Sequence, residues 1–179
     1  MSIINRRLGL SRYEADEYYR LALEAYQKKR LDDAILNMDD AIALLPGRSE
    51  YWAARGFFYL EDGVLDKAQA DFEQALKLHR FEMLAHYGRG VIAYKDRNWQ
   101  EALAHFTDAY RSDPKRPETL YYLALCFHRT GDNAAAQRFM EQAAAAFANV
   151  DERRRADALK WVKEFQRILG SAARLPPPG

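Results

Sequence analysis

An all-α stack of helical hairpins is the fold class predicted for this chain, and three observations predict it. Small residues recur every 34 positions, at Ala34, Ala68, Ala102 and Ala136 and again at Ala41, Ala75, Ala109 and Ala143. One bulky residue stands between them each time, Met38, Phe72, Phe106 or Met140, so every copy carries the same helical face. Turn formers then separate the helices at Asp62-Gly63, Asp96-Arg97-Asn98 and Gly131-Asp132. A lone hairpin cannot bury such a face, whereas stacked copies can, which makes one elongated solenoid.

Taken in order, residues 1–14 form an arm and a helix start. Ile3, Ile4, Leu8 and Leu10 beside Arg6 and Arg7 are too apolar for a plain solvated tail and too few to fold alone. Ser11 to Glu14 reads as a capping box, which predicts a helix from Arg12 to about Lys28. Lys28-Lys29-Arg30 turns the chain into a helix ending at Pro46-Gly47. The pair at Ser49–Leu78 sets Trp52, Gly56 and Tyr59 on one face of its first helix, against Ala68, Phe72 and Ala75 on its second. The small residue of each first helix is Ala22, Gly56, Gly90 or Ala124, which lets neighbouring helices approach. Pro117 opens its helix, where a missing amide costs nothing.

The repeats run over residues 15–48, 49–82, 83–116 and 117–150. Beyond them a further amphipathic helix is expected at Asp151–Leu169, with Ala158, Trp161, Val162, Phe165, Ile168 and Leu169 on one face. Such a helix would cover the open end of a repeat stack. Gly170 is expected to stop it, and the Pro-rich tail 170–179 to be extended or flexible.

This 34-residue pattern of a large aromatic, then Gly, Ala, Phe, Ala and a closing Pro, resembles the tetratricopeptide repeat family. The departures are His86 and Leu120 where Tyr18 and Trp52 stand in the earlier units, and Arg80 and Ala148 where Pro46 and Pro114 stand in the others. They affect helix ends rather than the fold. The resemblance implies a right-handed superhelical solenoid of four tandem helix–turn–helix repeats with a C-terminal capping helix. It implies that the first helix of each unit lines a concave wall that binds a peptide or a helix.

Carried over position by position, the wall is Tyr19, Leu23 and Tyr26 in the first unit, edged by Asp16 and Gln27. The second presents Ala53, Phe57 and Leu60, edged by Glu50 and Glu61. The third presents Tyr87, Val91 and Tyr94, edged by Leu84 and Lys95, and the fourth Tyr121, Leu125 and His128, edged by Glu118 and Arg129. Some members hold an acidic chaperone tail with Lys, Asn and Arg side chains. Here Tyr19, Leu23, Ala54, Leu84 and Gly88 occupy those places, so that mode of capture is not expected. Tyrosine-rich walls suit recognition, because the ring supplies apolar area with little rotamer entropy to lose.

Composition excludes several other classes. Lys+Arg 27 against Asp+Glu 26 gives a net charge of +1, which argues against a nucleic-acid partner. The single cysteine, Cys126, allows no internal disulfide and suits a reducing compartment. No apolar run approaches the roughly 20 residues that cross a bilayer, so no membrane insertion is expected. The first residues lack the apolar centre of a secretory signal, and a cytoplasmic protein is the expectation. His79, His86, His105 and His128 show no metal-ligand spacing, so no metal site is expected. Cys126 reads as core and Gly88-Arg89-Gly90 as close helix packing. Arg55 and Arg89 read as inter-helix salt bridges, and Arg153 to Arg155 as a solvated face.

The expected function is therefore a non-enzymatic adaptor or scaffold without a cofactor. It would hold a protein or peptide partner on the apolar wall, oriented by Glu50, Glu61, Lys95, Glu118 and Arg129 at the rim. The alternative is a self-assembling structural module, such as a homo-oligomer, whose groove or outer faces pack against its own arm or another copy.

Overall fold

The computed structural model describes residues 10–172, and every regular element among them is an α-helix. The apolar arm positions Ile3, Ile4 and Leu8, the Leu10 side chain and the tail beyond 172 lie outside the described residues. The helices are α1 Leu10–Gln27, α2 Leu31–Leu44, α3 Ser49–Asp62, α4 Leu65–Leu78 and α5 Met83–Lys95, then α6 Trp99–Ser112, α7 Pro117–Arg129, α8 Asn133–Phe147 and α9 Glu152–Ala172. None is long and apolar enough to cross a membrane. The chain divides into two compact units, residues 1–89 and 90–179, with the boundary inside α5.

In the N-terminal unit α1 packs on α2, α2 on α3 and α3 on α4. Ala22, Ala34, Met38, Ala41, Tyr51 and Phe58 form its core. Small residues set the helix spacing there. A Cβ placed on Gly56 would come within 2.8 Å of the Phe72 ring, and one on Gly88 within 2.1 Å of it. Neither position tolerates a side chain unless Phe72 moves. Arg55 on α3 ties this packing together: it donates to both carboxylate oxygens of Asp71 on α4 at 2.7 Å, and to Asp39 on α2 at 2.6 Å. Asp71 is itself buried, so the bidentate pair also meets the hydrogen-bonding needs of a desolvated carboxylate.

In the C-terminal unit α6 packs on α7, α7 on α8 and α8 on α9. Its core joins Leu120, Leu125, Met140 and Phe147 to Ala158, Val162 and Phe165 of α9. Gly90 repeats the role of Gly56, for a Cβ there would meet the Phe106 ring at 2.8 Å.

Each inner turn closes the same way. Lys29, Gly63, Arg97 and Gly131, spaced by the repeat, all take positive φ, at 59°, 81°, 61° and 94°. The following amide then reaches back to close the helix, as in Arg30 N to Ala25 O and Asn98 N to Ala93 O, both at 2.9 Å. Two helix ends depart from the sequence expectation. Ser11 lies inside α1 and is buried rather than capping the helix from outside. Gly170 does not stop α9, which runs on to Ala172. A glycine without positive φ weakens a helix but does not end it.

Candidate functional site

The inner helix of the first two repeats builds an apolar face within the N-terminal unit. Tyr19 of α1 lies half-buried with its ring 5.3 Å from that of Tyr51 on α3. Tyr26 packs edge-on against Phe57 at 5.7 Å and stacks on Phe58 at 5.2 Å. Leu23, between the two tyrosines, is 38% exposed, and Phe57 is half-buried. Offset and edge contacts of this kind hold rings in place while leaving an edge or face free. Leu60 and Tyr87 are different: both are buried, as is Ala53, and their area is already inside the chain. Leu84 is part-buried.

Carboxylates border this face. Asp16 accepts the Tyr51 hydroxyl at 2.5 Å, and Glu50 accepts from Arg48 Nε at 2.7 Å. The Tyr19 phenol is held above its usual pKa, first by burial and then by the charges of Glu50 and Glu82, with Arg48 opposing. Glu82 accepts the Ser49 hydroxyl at 3.1 Å. It is a rim residue that the first-helix positions did not include. The repeat register contains the signal, since Glu82 is the counterpart of Arg48. At the other end of the helices Glu61 is exposed and lines an open pocket of about 440 Å³ with Tyr26, Gln27, Lys29 and Leu31.

The equivalent positions of the C-terminal unit are arranged otherwise. Val91 is buried, and Tyr94 lies between Trp99 at 5.0 Å and Tyr122 at 5.5 Å. Tyr121 donates its hydroxyl to Asp157 of α9 at 2.5 Å. Leu125 is 9% exposed within the core. His128 lies tilted against Trp161 at 5.8 Å and Phe165 at 5.3 Å, with Nδ1 2.7 Å from the Asn133 side-chain oxygen. Thus α9 roofs the fourth repeat's wall. Among its rim residues, Glu118 lies 3.5 Å from both Arg116 and Arg154, and the Arg129 guanidinium sits 5.4 Å over the Trp99 ring. Lys95 is exposed.

Cys126 is fully buried, and burial pushes its thiol up to about 12, so it is neutral at ordinary pH. Among the described residues no group of three or more His, Cys, Asp or Glu is placed to hold a metal ion.

Comparison with known proteins agrees with this architecture. Two Tetratricopeptide repeat families match the chain, over residues 53–117 and 93–160. The "Probable biofilm formation methyltransferase WspC" of Pseudomonas putida is 30% identical over 84 residues, 47% of this chain. The chain spans only 20% of the length of that relative. Among solved structures, Pseudomonas aeruginosa pilF superposes with a TM-score of 0.66 at 17% identity, covering 88% of this chain and 77% of its own. The first TPR of Spaghetti (RPAP3), bound to the HSP90 peptide SRMEEVD, superposes at 0.60 with 17% identity, over 66% of this chain and 94% of its own. At these identities the structures show the fold alone, the all-α superhelical repeat class. With the repeat family matched from residue 53 to residue 160 and the hairpins in register on both sides of α5, the chain belongs to the tetratricopeptide repeat family.

Proposed function

We propose that this chain is a non-catalytic protein–protein interaction module whose N-terminal unit holds a partner peptide or helix against Tyr19, Leu23, Tyr26 and Phe57. The family's fold serves as an interaction module, and one solved relative carries a bound peptide. The observation that favours this face is its incomplete burial. Leu23 stands exposed between rings already locked by Tyr51 and Phe58, so little side-chain entropy remains to be lost on binding. Covering two or three such side chains is worth several kcal/mol before association costs.

Glu50 and Glu61 are the orienting rim groups of this reading. In the C-terminal unit Tyr94, Tyr121 and His128 are structural first, because their rings are engaged within it. The test is selection of a displayed peptide library on the full chain. Selected peptides should lose binding to Leu23→Asp, with its circular dichroism unchanged. Undiminished binding to that variant would remove the wall reading.

A second reading rests on Tyr13 and Leu36, 74% and 62% exposed on the first hairpin. Large apolar groups left in water favour association with a second copy. Light scattering across loading concentrations separates the two, since self-assembly predicts a mass above 20.7 kDa that falls on dilution.

A further inference from the structure

The charge around the N-terminal wall is biased. Residues 1–89 carry 15 Asp and Glu against 13 Lys and Arg, while residues 90–179 carry 11 against 14. Four carboxylates border the wall itself: Asp16, Glu50, Glu61 and Glu82. Arg48 is engaged by Glu50 and lies 5.4 Å over the Tyr51 ring. Arg12 approaches Asp16 only at 3.9 Å, with both side chains largely in water. Glu82 has the Ser49 hydroxyl and, at 3.9 Å, His79, but among the described residues no Lys or Arg lies within ion-pair distance of it. Glu61 shares its pocket with Lys29 and makes no ion pair with it. Carboxylates therefore stand at both ends of the apolar strip, with the negative bias beside Tyr19 and with Glu61 facing Lys29 in the pocket beside Tyr26.

We infer that this wall takes a peptide or helix whose apolar anchors are flanked by Lys or Arg, and that it disfavours acidic segments. The inference rests on the wall reading above and names its ligand class. Apolar anchors would cover Leu23 and the ring edges. Flanking cations would meet Asp16 and the part-buried Glu82 at one end, where a partly desolvated carboxylate gains from a new counter-charge, and the exposed Glu61 at the other. An acidic tail would meet like charge beside Tyr19.

Fluorescence anisotropy on the full chain tests this with three labelled peptides that share the same Leu and Tyr anchors and differ only in Lys, Gln or Glu flanks. SRMEEVD serves as a further acidic probe. The Lys-flanked peptide should bind about tenfold more tightly than the Gln-flanked one, with the advantage shrinking as salt rises. The Glu-flanked peptide and SRMEEVD should bind most weakly. Glu61→Lys, at an exposed position, should narrow or invert the order. Equal affinities without salt dependence would overturn the charge inference, yet leave the wall in place if Leu23→Asp still abolishes binding. Binding that survives Leu23→Asp, or no binding by any peptide, would overturn both. A doubled mass that Leu23→Asp abolishes would assign the wall to a second copy and overturn the peptide ligand.

Discussion

The first and fourth repeats carry the same design at their inner helices and put it to different use. Tyr19, Leu23 and Tyr26 of the first repeat correspond, position for position, to Tyr121, Leu125 and His128 of the fourth. In the first, Leu23 faces water between rings buttressed from α3. In the fourth, α9 lies over the trio, with Asp157 on Tyr121 and with Trp161 and Phe165 against His128. A wall position in a repeat is thus a possibility for binding, and the neighbouring helix decides whether it becomes surface or core.

The largest test of that contrast is a matched pair of charges. Leu125→Asp would bury a carboxylate in the core shared by α7, α8 and α9, and should cost about 4 kcal/mol or more. Leu23→Asp should change stability by no more than about 1 kcal/mol, mostly through helix propensity. Urea unfolding followed by circular dichroism reads both. Similar losses at the two sites would mean that Leu23 is as enclosed as Leu125 and would break the comparison.

Much of this was legible from sequence, and the exceptions have physical causes. The 34-residue recurrence located the hairpins because close packing leaves one solution at each contact. Gly56 and Gly90 must be small where Phe72 and Phe106 press on them. Arg55 as an inter-helix bridge followed from the same register. Helix ends were less legible, since capping depends on backbone angles. Ser11 had the residue type of a cap without the position of one, and Gly170 had the type of a stop without the positive φ. The roof over Tyr121, Leu125 and His128 was invisible for a different reason. α9 breaks the period, so nothing in the register pairs Tyr121 with Asp157. Glu82 was passed over because it precedes its inner helix and so lies just outside the wall positions.

A smaller effect separates the two tyrosines. Tyr121→Phe removes the hydroxyl bond to Asp157 and should cost about 1 kcal/mol, discounted for the exposure of Asp157. Tyr19 makes no hydrogen bond among the described residues, so Tyr19→Phe should stay within a few tenths of a kcal/mol. The pH dependence adds a signature. Burial first, and then the bond to Asp157, raises the Tyr121 phenol above its ordinary value of 10.0. The folded state therefore keeps a proton that the unfolded chain gives up. This contribution is whole below about pH 10 and is lost as pH climbs toward the folded value. The stability advantage of wild type over Tyr121→Phe should accordingly shrink in alkali, as a thermal melt series would show. A constant difference across that range would mean that the Asp157 bond does not govern the site.

The smallest effect concerns what the two units share. Lys29 and Arg97 occupy the positive-φ turn position that Gly63 and Gly131 fill in the alternate repeats. A side chain there costs about 1 kcal/mol in backbone sterics, partly offset because glycine leaves a freer unfolded chain. Lys29→Gly and Arg97→Gly should therefore each stabilise by about 0.5 kcal/mol. Equal gains would show that the two units share one backbone design and differ in what covers their walls. A smaller gain at position 29 would have a specific meaning, because Lys29 lines the pocket with Tyr26 and Glu61. The shortfall would measure what its ammonium contributes against Glu61, and raised salt should remove it. A shortfall that ignores salt would instead place the contribution of Lys29 in its methylene stem, packed along the pocket wall.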